Sequence, residues 1–142
     1  MQNYKNHTRL NPAHHFVLTP LTVLFFVWSI VFAFDTTVDL KLRLIAIIAA
    51  TALLLASFIA RSYGIKNQDR IIRLEMRQRY FEMTGTSFSA KEKQLKLSQI
   101  IALRFAGDEE LLPLMERAIA EKLSSKEIKL AITDWQADYH RV

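Results

Sequence analysis

Four histidines, His7, His14, His15 and His140, are the side chains best suited to hold a metal or move a proton. His14 and His15 are neighbours, so on a helix they point about 100° apart and make poor joint ligands. A site shared with His140 would need the two ends of the chain to meet, and nothing in the spacing demands that. Anchoring an apolar helix at an interface is the plainer use for the pair. Serines and carboxylates are present, but without a nucleophile elbow, an HExxH pair or a phosphate loop. Three glycines leave little to cradle a nucleotide. The absence of cysteine excludes disulfides, thiolate metal sites, cysteine nucleophiles and S-acyl anchors. No residue set here makes a catalytic, cofactor or metal site and no small-molecule substrate is identified; a metal-dependent or other enzyme ranks third among the functional readings.

The other chemistry in the chain is cationic. Lys66, Arg70, Arg73 and Arg77 recur at helical spacing and suit either a partner or an anionic lipid surface, worth ~1 kcal/mol per residue near the bilayer. The net charge of +5 is concentrated around them. Residues 61–85 hold six Lys+Arg against three Asp+Glu, and residues 86–142 hold nine of each. Nucleic acid is a poor match, because the charges lack interleaved exposed aromatics or a groove-entering motif. Ala120, Leu123, Ile128 and Ile132 imitate a helix-turn-helix pattern. The four residues between Leu123 and Ile128 are too few for its turn and recognition-helix start.

The elements that position these residues begin with two charge-free runs. No formally charged side chain occurs from Leu10 to Phe34 or from Leu44 to Ala60. Residues 1–15 are a polar N-terminal segment, with Asn11 and Pro12 suited to open a helix. Residues 16–34 form the first span. With the preceding turn it makes roughly 23 residues and ~34 Å, enough to cross a ~30 Å hydrocarbon core. Pro20 should free the Phe16 carbonyl and kink the helix near one interface. The run is too long for a signal core and lacks a cleavage site after it. Residues 35–43 make a short external loop and residues 44–60 the second span. Lys5 and Arg9 before the spans and the six basic residues after them outnumber Lys41 and Arg43 in the loop, which places both termini in the cytoplasm. No Asp, Glu, Lys or Arg falls inside either span, so neither suggests an ion pathway.

Residues 61–84 continue the second span as one basic helix. Placed at 100° per residue, Ile65, Ile72, Met76 and Met83 form one stripe with Tyr80 beside it, while Ile71, Leu74 and Phe81 form another nearly opposite. Two stripes imply two covers: the tail domain and a second copy of the protein. Inside the membrane, Ala52, Ala56 and Ala60 make a small-residue ridge suited to close helix packing, within the hairpin or between copies; Ser29 and Ala33 make a shorter one.

Residues 89–142 read as a helical tail of three short helices, small for a self-sufficient core. Ser89 with Glu92 spells a capping box for a helix reaching Ala106, with Leu97, Ile100, Ile101, Leu103 and Phe105 inside. Asp108 should cap the second helix, Pro113 should make it irregular, and Leu111, Leu112, Met115, Ala118, Ile119 and Leu123 should form its face. Ser124 and Glu127 open the third, lined by Ile128, Ala131, Ile132 and Trp135. The fold class is therefore all-α: a transmembrane helical hairpin, a long cytoplasmic helix and a three-helix tail.

The strings QNYKNHTR with His14-His15-Phe16, QDRIIRLE, QIIALRFAGDEELLPLMERAIAEKLSSKEIK and the ending DWQADYHRV carry a resemblance. The chain resembles an uncharacterised family of small bacterial two-span membrane proteins, a domain of unknown function, over nearly its whole length. That resemblance implies a bacterial inner-membrane location and brings no active site. The family's ending is closer to Trp-x-Pro-Asp-His-His-Arg-Val. Ala137 and Tyr139 depart from it, which removes support for a metal or catalytic role of this terminus; Pro113 is displaced by one position. The function expected is membrane-anchored interaction or scaffolding by self-association or binding of another protein, with anionic-lipid sensing by the basic face as the alternative.

Overall fold

The computed structural model describes Tyr4 and residues 10–138. Among these the protein is helical without a strand. A π-helical segment, Ala13–Leu18, leads into α1 (Thr19–Ala33). There follow α2 (Leu40–Thr84), α3 (Ser89–Glu92), α4 (Leu97–Leu103), α5 (Asp108–Ala120) and α6 (Ser125–Ala131). The chain divides into two compact units, and the boundary falls inside α2 between Ile65 and Lys66.

In the unit Leu10–Ile65, the Asn11 side chain accepts the His14 N–H at 3.1 Å, which satisfies a helix-start amide as the sequence suggests. Pro20 has no N–H for the Phe16 carbonyl. The preceding turns run in the wider π register, closed by the Thr19 N–H on the His14 carbonyl. Pro20 is accommodated by this change of helical register; no kink is assigned to it. The continuous helical stretch Ala13–Ala33 is 21 residues long, and both it and α2 are long and apolar enough to cross a membrane. Their hydroxyls are satisfied locally: Thr22 donates to the Leu18 carbonyl at 2.9 Å, Ser29 to Phe26 at 2.7 Å and Thr51 to Ile47 at 2.7 Å. The loop is shorter than residues 35–43. The Asp39 carboxylate accepts the Lys41 N–H at 2.9 Å and starts α2 at Leu40, four residues before the apolar run. Arg43 donates to the Ala33 carbonyl at 3.1 Å, tying the start of α2 to the end of α1.

In the unit from Lys66 onward, Ile72 and Met76 of α2 enter one core with Phe88, Leu103, Leu111 and Met115. The tail departs from the three helices expected: its described residues form four. The run from Ser89 breaks at residues 93–96 because Gln99 starts a new helix. Its side-chain oxygen accepts the Lys96 N–H at 2.6 Å, the bond an N3 glutamine makes, while its amide donates to the Leu123 carbonyl at 2.7 Å. Ser89 is therefore the first residue of a single turn, with Phe88 at its cap position.

Asp108 is likewise the first residue of α5, not its cap. Gly107 holds that position, and the Glu110 carboxylate accepts its N–H at 3.4 Å. Pro113 lies within α5 without breaking it. The helix stops at Ala120 through a Schellman turn: the Leu123 N–H reaches the Ala118 carbonyl at 3.1 Å across Lys122, held at φ 54°. The Ser124–Glu127 capping box is present in both directions, at 2.7 and 3.2 Å.

The last helix ends at Ala131, before Ile132 and Trp135. Trp135 comes inside by another route. An isolated antiparallel bridge joins Ala106 to Trp135, with Gly107 N–H donating to the Asp134 carbonyl at 2.9 Å and Gln136 N–H to Phe105 at 2.8 Å. A Cβ on Gly107 would meet the carboxylate end of the exposed Asp134 side chain, which would have to swing aside to admit it.

Candidate interaction surface on the long helix

The two apolar stripes of residues 61–84 meet different fates. Ile72 is 3% exposed and Met76 2%, with Tyr80 and Met83 packed beside them. Ile71 is 54% exposed, Leu74 60% and Phe81 59%. One stripe is core and the other faces outward from this unit. Ile65, which the periodicity assigns to the inner stripe, is exposed and belongs to the other unit.

The basic face is divided as well. Arg73 and Arg77 converge on Glu92 of α3, whose side chain is 9% exposed. Arg73 reaches one carboxylate oxygen through Nε at 2.9 Å and also through Nη2, and Arg77 bonds the other through Nε at 2.7 Å. Lys66 and Arg70 are exposed. Arg79, which periodicity alone does not single out, also joins α2 to the tail. It donates to the Ala106 carbonyl at 2.7 Å and pairs with Asp108 at 2.6 Å, bridging α2 to the connection between α4 and α5. The signal for it is an arginine bordering the buried stripe.

The Arg77 hydrogen bond, then that of Arg73, holds the Glu92 carboxyl below its ordinary value of 4.5 despite its burial. Burial pushes Glu110 upward, but hydrogen bonds from Thr133, Asp134 and Gly107 outweigh it and hold this carboxyl low too. The unfolded chain binds protons at these positions first. The stability they contribute is complete above about pH 4.5 and is lost as pH falls through the lower folded values. An acid titration of the melting temperature should show that loss. Glu92→Gln should flatten part of it and cost about 1 kcal/mol at neutral pH, the half-exposed arginines keeping the effect small.

Ala52, Ala56 and Ala60 are exposed in this chain, whereas Thr22, Ser29, Ala50 and Ser57 are buried. The small residues at seven-residue spacing, Thr22–Ser29 and Ala50–Ser57, therefore mark the covered faces. The ridge of alanines lies outside the faces covered within this chain.

The His14 and His15 rings lie edge to face at 5.1 Å, and His15 Nδ1 donates to the Asn11 carbonyl at 2.9 Å. His7 and His140 fall outside the described residues. Among those described, no group of three His, Cys, Asp or Glu side chains is placed to hold a metal. A cleft of about 590 Å³ in the tail is lined by Lys96, Ser98, Lys122 and Ser124, among others. These residues supply no carboxylate or histidine to act as a general base.

A model of a family of unknown function, DUF6526, matches residues 1–142. The chain belongs to that family. Membership in DUF6526 is consistent with the likeness of sequence noted above and assigns no activity. No curated protein and no solved structure matches the chain.

Proposed function

We propose that this chain is a non-enzymatic, membrane-anchored interaction protein of the bacterial inner membrane. In this reading Ala13–Ala33 and the apolar half of α2 cross the bilayer as a hairpin. Both termini are cytoplasmic, and α2 beyond Lys66 with the tail forms the binding body. The observation that carries the reading is the outer stripe. Three large apolar residues of one helix face are more than half exposed while the opposite face of the same helix is buried.

Lipid sensing by the basic face has less support, since Arg73 and Arg77 are occupied with Glu92.

The test uses the full chain, which offers no natural cysteine. A single cysteine at Thr37 should react with an impermeant thiol reagent in intact cells, and one at Lys93 should react after permeabilisation. Crosslinking and size analysis in mild detergent should then give a species larger than the monomer that is lost on Phe81→Ser. Reversed labelling would overturn the topology. A strict monomer with nothing bound would overturn the interaction function.

A further inference from the structure

The outer stripe has the spacing of a coiled-coil seam. Ile71 and Gln78 lie seven residues apart, as do Leu74 and Phe81, so they take positions a and d of two heptads. Its flanks are not mixed. Arg70 and Arg77 fall at both g positions on one side, and Glu75 and Glu82 at both e positions on the other. Resting on the interaction function proposed above, we infer that this stripe pairs with the same stripe of a second copy as a short, parallel, in-register coiled coil.

The charges select both the partner and the direction. In a parallel pair, a g residue reaches the e residue five positions later on the other helix. Arg70 then meets Glu75 of the second copy, Arg77 meets its Glu82, and two-fold symmetry repeats both pairs in the other sense. In an antiparallel pair, g faces g and e faces e, setting arginine against arginine and glutamate against glutamate.

The inner half of the arrangement is compatible with the outer. Arg77 bonds Glu92 through Nε and Nη2, so the Arg70–Glu75 pair carries most of the selection. Gln78 is exposed and would sit in the seam, where a polar a residue fixes register at some expense in stability. The inner stripe is covered by the tail within the same chain, so each copy keeps its outer stripe open. An anionic surface is a worse occupant, because Glu75 and Glu82 line one edge of the stripe. Two heptads are short for association in free solution. Confinement in one bilayer raises the effective concentration of the two helices.

Single cysteines at Leu74, at Gln78 and, as an off-seam control, at Lys93 test this in the full chain in native membranes under mild oxidation. A parallel in-register pair brings each seam position opposite itself. Leu74→Cys and Gln78→Cys should therefore form disulfide dimers several-fold more readily than Lys93→Cys. Adding Arg70→Glu should lower the Gln78→Cys dimer several-fold, and the further change Glu75→Arg should restore it. Restoration is a result that a merely structural role for either residue would not give. All these side chains are exposed, and a melt of each variant establishes that the tail remains folded. Seam yields no higher than the Lys93 control, or charge reversal without restoration, would overturn the inference. If the seam fails to crosslink while the chain still forms a complex that depends on Phe81, the second copy is excluded and the interaction function stands. If the chain is bare and monomeric, both fail.

Discussion

Phe105→Ala is expected to cost the tail about 4 kcal/mol, within the range for deleting a buried aromatic ring. Phe105 is 1% exposed and lies where three connections meet. Its ring stacks on Trp135 at 4.8 Å between centroids with 21° between planes, and the Arg104 guanidinium sits 4.6 Å from its centroid. The Lys129 ammonium of α6 is 5.9 Å away. Removing the ring leaves a cavity and also removes the stacking and cation–π terms that depend on its face. The backbone bond from Gln136 to Phe105 remains, but the aromatic seat that orders the segment after α6 does not. In a Trp28→Phe background Trp135 is the single tryptophan, so fluorescence should report the melt of this unit directly. Phe105→Leu should recover about half the loss by refilling volume without the stack. A melting curve for Phe105→Ala within about 1 kcal/mol of the parent would show that the Phe105–Trp135 contact does not hold the tail together.

That contact marks the limit of what could be read from the amino acids. Trp135 has apolar periodicity with Ile128 and Ile132, which suggests one continuous helix. Its actual place is set by Ala106, nearly thirty residues earlier, through a bridge that no local pattern announces. Gln99 and Glu110 are similar cases. Each sits at the third position of a helix that starts inside, or just beside, a run read differently, because its side chain accepts the backbone N–H three residues earlier, a bond that neither the Ser89 run nor the capping preference of Asp108 announces. Ser124 and Glu127 form the capping box that their spacing announces, whereas Ser89 and Glu92 have the same spacing and do not, the Glu92 carboxylate being turned to Arg73 and Arg77. The two long apolar helices are legible for a related reason: their signal is the absence of charge over a window, which depends on no distant contact. Small residues fall between these cases. Ala52, Ala56 and Ala60 have the right spacing for close packing, as do Ala50 and Ser57. Only the position of a neighbour decides which face is covered.

The wheel of residues 61–84 separates two faces correctly but cannot say which is closed by its own chain. Met76→Ala and Phe81→Ala should therefore give crossed results. Met76 is 2% exposed and joins α2 to the tail core beside Ile72, so truncating it should destabilise this unit by about 3 kcal/mol. If the tail exchanges through unfolding of the unit, amide hydrogen exchange across α4 and α5 in the full chain should accelerate about 100-fold. Phe81 is 59% exposed on the far side, and its truncation should change those exchange rates by less than about threefold, as for surface substitutions generally. The association signal should behave the other way. Phe81→Ala should weaken it without loosening the tail, while Met76→Ala should disturb it only through partial unfolding, recovering at low temperature where the tail refolds. Equal acceleration of exchange in both variants would mean that the outer stripe is a second face of the core. The exposed residues would then have no need of a partner. The crossed result would mean that one helix serves two covers, with its own tail on one side and another molecule on the other. Arg73, Arg77 and Arg79 fix the first cover so that Ile71, Leu74 and Phe81 stay available for the second.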